Sequence, residues 1–252
     1  MGLANTASSQ TLVWTDQTAP AVDSLCRQFQ QLYTKIREES ILPDSARRQF
    51  QTIMLGLRGR FRAAEPYRLD SMLRDSLVRS TAYFAFPLRA HSPDAIGGSR
   101  GEGYRDSGFD LFDYNVRGSH PAQDIFIRDR DQDCLEDGSG QPVDVLAMTA
   151  GVIVGIETDW KPGQEYRGGN WVWVYDPILD GLFYYAHNNA VLVRPGQWVQ
   201  AGQKLAEVGR TGFNAYKTRS PTHLHLMFLQ IQPDGLPEPV NPYEWLLAAR
   251  LF

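Results

Sequence analysis

From Pro142 onward the chain is cut too often to sustain long helices. Val143–Met148, Gly151–Ile156, Asn170–Tyr175, Leu182–His187, Val191–Val193, Trp198–Val199 and Lys204–Val208 are short apolar or alternating runs. Between them stand Asp180-Gly181, Pro195-Gly196 and Ala201-Gly202. Asp-Gly has the chemistry of a tight hairpin turn, and the Pro-Gly and Ala-Gly pairs punctuate further turns. Closely spaced strands joined by such turns pair with their sequence neighbours, so the expected fold is mainly β, an antiparallel sheet domain over roughly 82–240. A Pro-rich tail ends in a short helix at Pro242–Leu247.

The first third of the chain has a different period. Residues 1–19 are polar and turn-rich. Val22, Leu25, Cys26, Phe29, Leu32, Tyr33 and Ile36 then recur at helical spacing and make one apolar stripe. Pro43-Asp44 breaks that pattern and opens a second helix with Phe50, Ile53, Met54 and Leu57 on its apolar face, while Gly56 and Gly59 weaken its end. A third helical or irregular piece runs through Leu69, Met72, Leu73, Leu77 and Val78. The organisation expected is a small helical N-terminal region over 1–80, a possible helical hairpin, followed by a β-rich domain over 81–252. The helices either are a stabilising extension of that domain or guard or position its active cleft. Tyr83–Leu88 reads as an entering strand ended by proline, and the Gly-rich stretch 91–108 as a long loop walling a cleft.

Composition excludes more than it selects. A net charge of −4 gives no electrostatic footprint for nucleic acid. No run of 18 apolar residues exists, so no transmembrane helix is expected. The start Met1–Thr6 lacks the basic and apolar segments of a signal peptide. Cys26 and Cys134 form either one disulfide or two free thiols. The acidic stretch Arg128–Gly140 alternates Asp129, Asp131 and Asp133, but Cys134 stands where a calcium loop turns on glycine, so it reads as a solvated insertion.

Histidine is scarce, and its placement carries the chemistry. Of five histidines, His223 and His225 lie one residue apart in a strand and therefore share a face. His187 ends another strand, and His120 and Asp124 are separated by three residues. His91 lies in the long loop and reads as a surface residue rather than a ligand. A catalytic zinc needs three protein ligands of imidazole or carboxylate type and an open position. His120, Asp124 and one of the paired histidines would supply them. The two remaining imidazoles could then act as general base and transition-state donor.

His120-Pro121-Ala122-Gln123-Asp124, Tyr185-Ala186-His187 and His223-Leu224-His225, in that order, resemble the motifs of the lysostaphin- and LytM-type zinc endopeptidases, peptidase family M23. The stretches Val193–Gln203 and Val208–Gly212 are similar to that family's Gly-punctuated hairpin, and Phe86-Pro87-Leu88 to its entry, so the likeness spans about 84–232. The hairpin also resembles those of biotinyl and lipoyl carrier domains, but its tip, Ala201-Gly202-Gln203, lacks their lysine. The M23 resemblance implies one Zn2+ held by His120, Asp124 and His225, with His187 and His223 as the catalytic pair. It implies peptidoglycan peptides as substrate and a periplasmic or extracellular location. A non-catalytic member that binds wall or activates a partner hydrolase is the alternative. The chain departs from the pattern at Thr222, where proline is common, and in the acidic insertion after Ile127.

Overall fold

A computed structural model of the chain describes residues 19–64, 72, 76, 78–80, 83–115 and 118–252. Among the described residues two long helices come first, α1 (Ala19–Arg37) and α2 (Pro43–Ala63). Ten described strands follow: β1 (Ala122–Phe126), β2 (Asp144–Leu146), β3 (Gly151–Glu157), β4 (Asn170–Asp176) and β5 (Gly181–Asn188), then β6 (Ala190–Val191), β7 (Trp198–Val199), β8 (Lys204–Glu207), β9 (His223–Ile231) and β10 (Pro237–Val240). A short helix, α3 (Tyr243–Ala248), closes the chain.

Among the described residues the strands make a seven-stranded antiparallel sheet in the order β1-β9-β5-β4-β3-β7, with β10 also on β9, and a smaller sheet β2-β8-β6. Strand β4 is buried along its whole length because both faces of the large sheet are covered. Trp171, Trp173 and Tyr175 join the core under the helices, whereas Val172 and Val174 join the core on the opposite face. That alternation follows from the period of two in a strand. It also sorts β9: Met227, Leu229 and Ile231 lie on the helix side, and Leu224, Leu226 and Phe228 on the other. By the same parity, His223 and His225 face the helix side of the sheet.

The helical stripe expected on α1 is found, with Val22, Cys26, Phe29, Leu32 and Ile36 all buried against the sheet or α2. Helix α2 runs on through both glycines to Ala63. Gly56 lies where α1 crosses, and a Cβ there would stand 3.0 Å from Leu25 Cδ2. Packing between the helices thus overrides the weak local propensity. The third helical piece expected at 69–78 falls largely outside the described residues.

Two other segments differ from expectation. Tyr83–Leu88 forms isolated bridges instead of a strand, Ala85 with Arg250 and Leu88 with Val145. Pro87 has no N–H to extend a ladder. Cys26 and Cys134 are free thiols; Cys26 is buried, which pushes its pKa up to about 12. No described helix is long and apolar enough to cross a membrane.

Candidate metal centre and cleft

The pairing of β1 with β9 assembles the centre. The register sets Asp124 opposite His225 and Phe126 opposite His223. Residues a hundred positions apart thereby meet side by side, since directly opposed Cβ atoms in an antiparallel pair stand about 4.5–5.5 Å apart. His225 Nδ1 lies 3.1 Å from Asp124 Oδ1, and His120 Nε2 lies 3.3 Å from Asp124 Oδ2. His120, Asp124 and His225 offer three ligand atoms within 4.8 Å of one another, a group able to hold a metal ion.

His187 and His223 complete a contiguous cluster. Their rings lie 4.9 Å apart, His187 is 5.5 Å from His225, and His120 is 4.9 Å from His225. All five residues expected from the sequence therefore meet at one place. His91 does not join them; it pairs with Glu136 at 3.3 Å, in a groove elsewhere.

Each ring is oriented by a carbonyl or carboxylate. His120 Nδ1 faces Gly103 O at 2.9 Å, so the long loop after His91 does reach the centre. His223 Nδ1 faces Pro221 O at 2.7 Å, and His187 Nδ1 faces Thr211 O at 2.8 Å. A carbonyl only accepts, so these Nδ1 atoms carry the proton and the Nε2 atoms are left as lone-pair donors. His225 is turned the other way, with Nδ1 toward the carboxylate.

The backbone at His187 is unusual. Its φ is +69°, a left-handed conformation rare for a residue with a side chain. Surrounding contacts enforce it: His187 N–H donates to Gly168 O at 3.0 Å. Thr211, which accepts the ring proton, is itself held by Asn170 N–H at 2.8 Å and donates to Asn188 O at 2.9 Å. Gly212 follows with φ +109°, and a Cβ there would stand 2.3 Å from Arg167 O and 3.0 Å from His187 Nδ1. Backbone strain held in place by its neighbours is characteristic of functional positions.

Burial and charge set the protonation states. Burial disfavours the Asp124 carboxylate, but hydrogen bonds from His120 and His225 outweigh it and hold the group far below the usual carboxylate range. Burial, together with the neighbouring His223 and His225, keeps His187 well below the ordinary imidazole value, so it is neutral at neutral pH. His225 is lowered by burial against the pull of Asp124. For His120 burial is outweighed by Asp124 and the pKa rises.

The centre opens into a cavity of about 410 Å³ whose lining includes Tyr33, Arg37, Tyr114, Tyr166, Arg167 and Trp171 beside the five residues above. Tyr33 and Arg37 come from α1, four residues apart and hence on one side of the helix. The Arg37 guanidinium lies 4.2 Å over the Tyr166 ring and pairs with Glu157. Tyr33 packs edge-on to Tyr184, whose ring is 6.2 Å from His225. The sequence reading missed these cleft residues, although the i, i+4 spacing of Tyr33 and Arg37 on α1 marks a common face. It also missed Phe126, whose ring lies 5.3 Å from that of His223.

The acidic insertion is less solvated than expected. Asp131 and Asp137 are exposed, but Asp129 is buried and accepts the N–H groups of Asp133 and Cys134.

The sequence profile of peptidase family M23 matches residues 135–242, a span that holds His187, His223 and His225 but not His120 or Asp124. Over 107 residues the chain is 34% identical to a lipoprotein NlpD/LppB homolog of Pseudomonas aeruginosa, covering 42% of this chain and 30% of that one. It is 31% identical over 116 residues to the murein hydrolase activator NlpD of Escherichia coli, covering 44% of this chain and 27% of the relative. The matched part thus spans less than a third of these relatives' length. Among solved structures, lytM from Ruminococcus gnavus is similar at 22% identity and a TM-score of 0.46, covering 92% of this chain and 91% of that one.

Proposed function

The chain belongs to peptidase family M23, and from that premise we propose that it is a zinc metalloendopeptidase hydrolysing peptide bonds in bacterial peptidoglycan cross-links. The observation that carries this reading is the β1–β9 register with Asp124 opposite His225. It brings His120 and Asp124, which lie upstream of the family match, against the histidines inside it.

We assign His120 Nε2, an Asp124 oxygen and His225 Nδ1 as ligands of one zinc ion. The donor set fits, because two imidazoles and a carboxylate are the ligand types of a catalytic zinc and leave a position open. The Gly103 carbonyl on His120 Nδ1 supplies the outer hydrogen bond that orients such a ligand. Bound there, zinc would contribute Lewis acidity, polarising a peptide carbonyl and lowering the pKa of a water to about 7. His187 and His223 form the catalytic pair. Both present an Nε2 lone pair to the cavity, so one accepts the proton of the attacking water and returns it to the leaving amine, while the other, protonated at Nε2 from solvent, donates to the developing oxyanion. Burial of His187 keeps it in the neutral, proton-accepting form. Tyr33, Arg37 and Tyr166 wall the cleft in which the peptide lies. Peptidoglycan lies outside the cytoplasmic membrane, so the protein acts in the periplasm or at the cell exterior.

The name of the Escherichia coli relative favours a second reading, a wall-bound activator of another murein hydrolase. One experiment separates the two. The full chain is incubated with purified peptidoglycan of several cross-link chemistries, and released peptides and bound metal are measured. The peptidase reading expects release with about one zinc per chain. His225→Ala loses the metal, and His223→Ala keeps the metal but releases nothing. Stoichiometric zinc with no release, together with stimulation of a separate murein hydrolase, supports the activator instead.

A further inference from the structure

His223 is the first residue of β9, and the ladder that holds it ends there. Its partner Phe126 is the last residue of β1, and one more backbone bond follows, Ile127 N–H to Thr222 O at 3.2 Å. Strand ends are where a ladder frays, yet His223 has to keep Nδ1–H on Pro221 O and Nε2 in the cavity. Something beyond the sheet has to fix this point.

Thr222 provides it. The residue is 1% exposed, and its hydroxyl is used in both directions. It donates to Asp129 Oδ2 at 2.5 Å and accepts from Arg210 Nη1 at 3.2 Å. Asp129 and Arg210 are each 8% exposed. Asp129 also accepts from Asp133 N–H at 3.0 Å and Cys134 N–H at 2.9 Å, which closes the acidic loop on itself. Arg210 also donates to Ser220 O at 2.6 Å and Lys217 O at 3.0 Å, which closes the segment leading into β9. Three segments, after β1, after β8 and before β9, therefore converge on one hydroxyl. Two buried charges of opposite sign flank it, each satisfied by hydrogen bonds, the condition under which buried ionic groups are tolerated. The two places where the chain departs from the M23 motifs, Thr222 and the acidic insertion, are bonded to each other.

We infer that Thr222, clamped between Asp129 and Arg210, is a positioning residue for His223. It touches no substrate; it holds the main chain from which the imidazole hangs. The inference rests on the catalytic role proposed for His223, and the test separates the two. In the zinc-loaded full chain, Thr222→Val keeps the shape and removes the hydroxyl, while Thr222→Ser keeps the hydroxyl. The readouts are kcat and KM on a peptidoglycan peptide, zinc content, and the ring N–H signals of His223 and His187 in nitrogen-labelled protein. Thr222→Val is expected to lower kcat by about tenfold or more, the usual scale for a residue supporting an active-site group, with KM and zinc held within about twofold. The His223 Nδ1–H signal is lost to exchange while that of His187 on Thr211 stays, and Thr222→Ser restores kcat and the His223 signal. An unchanged kcat with an unchanged His223 signal overturns the inference. So does a joint loss of zinc, kcat and the His187 signal, which marks a general structural role. Should Thr222→Val not fold, Asp129→Asn is read by the same signals and criteria. If the wild-type chain cleaves nothing, the His223 signal alone decides the positioning, and the failure lies with the peptidase reading.

Discussion

The side-chain amide of Gln30 on α1 holds both backbone groups of Ile156 on β3, accepting from its N–H at 2.7 Å and donating to its carbonyl at 2.9 Å. Strand β7 covers Gly151 and Val152 of β3, and Gly196 and Gln197 bond Ile153, so only the sheet edge beyond Ile153 is open to this capture. A side chain thus stands in for a missing strand and fixes α1 where it can present Tyr33 and Arg37 to the cleft. Gln30→Leu removes both partners and leaves two part-buried backbone groups unsatisfied. The expected cost is about 2–4 kcal/mol, at 1–3 for each such group with some recovery by water, measured by urea denaturation. A loss under about half a kcal/mol would show that water replaces the amide fully.

Arg58 on α2 makes a second attachment. It meets Asp180 in the β4–β5 turn at 2.6 Å and also donates to the carbonyls of Ile231, Gln232 and Pro233. Tyr175 donates to the other Asp180 oxygen at 2.8 Å. Arg58→Met leaves the Asp180 carboxylate, whose side chain is 8% exposed, with only the Tyr175 hydroxyl and the exposed Arg62 at 3.5 Å, and should cost about 3 kcal/mol. The double variant with Asp180→Asn should recover part of that loss. Equal stability of Arg58→Met and wild type would remove this pair from the account of how α2 is held.

Gly212→Ala tests the strained backbone beneath His187. A Cβ at φ +109° would drive into Arg167 O, so the chain has to shift beside Thr211. The expected cost is about 1–3 kcal/mol of stability, with a larger effect on hydrolysis than on zinc content because Thr211 O orients His187. Full activity in Gly212→Ala would mean that the His187 ring tolerates movement of its carbonyl partner.

Asp129 should impose a pH dependence of known sign. Burial raises its pKa, but the Thr222 hydroxyl and the N–H groups of Cys134, Asp133 and Gln132 lower it more, so the folded value lies below the ordinary one. A group depressed in the folded state stabilises above its unfolded pKa and loses that contribution as pH falls through the folded value. The stability gap between wild type and Asp129→Asn should therefore be full at neutral pH and shrink below about pH 4. Denaturation at pH 7, 5 and 3 checks it; a gap that does not narrow would mean that the carboxylate does not carry the bond to Thr222.

Much of the fold was legible because strand and helix periods are local properties. The hairpin at Asp180-Gly181, the alternation of Trp171, Trp173 and Tyr175 with Val172 and Val174, and the α1 stripe all follow from side-chain direction along a few residues. Gly56 was misread as a weak point because its value depends on Leu25, a residue of another helix. The run Tyr83–Leu88 was misread as a strand because its partners, Arg250 and Val145, lie far along the chain and give it only isolated bridges. In both cases the deciding contact is long-range, and propensity carries no record of it.

The same division holds for the site. The residue types and their order, His120 and Asp124, then His187, then His223 and His225, were set in the sequence, and with them the choice of imidazole and carboxylate donors. Which nitrogen each ring offers was decided only by the fold, since Gly103, Pro221 and Thr211 supply the carbonyls that turn three of them. That α1 walls the cleft was likewise decided by the sheet, because β9 parity puts His223 and His225 on the face the helices cover. A sequence names the groups that can bind a metal or move a proton. Distance and orientation between groups far apart in the chain arise only when strands pair and helices pack.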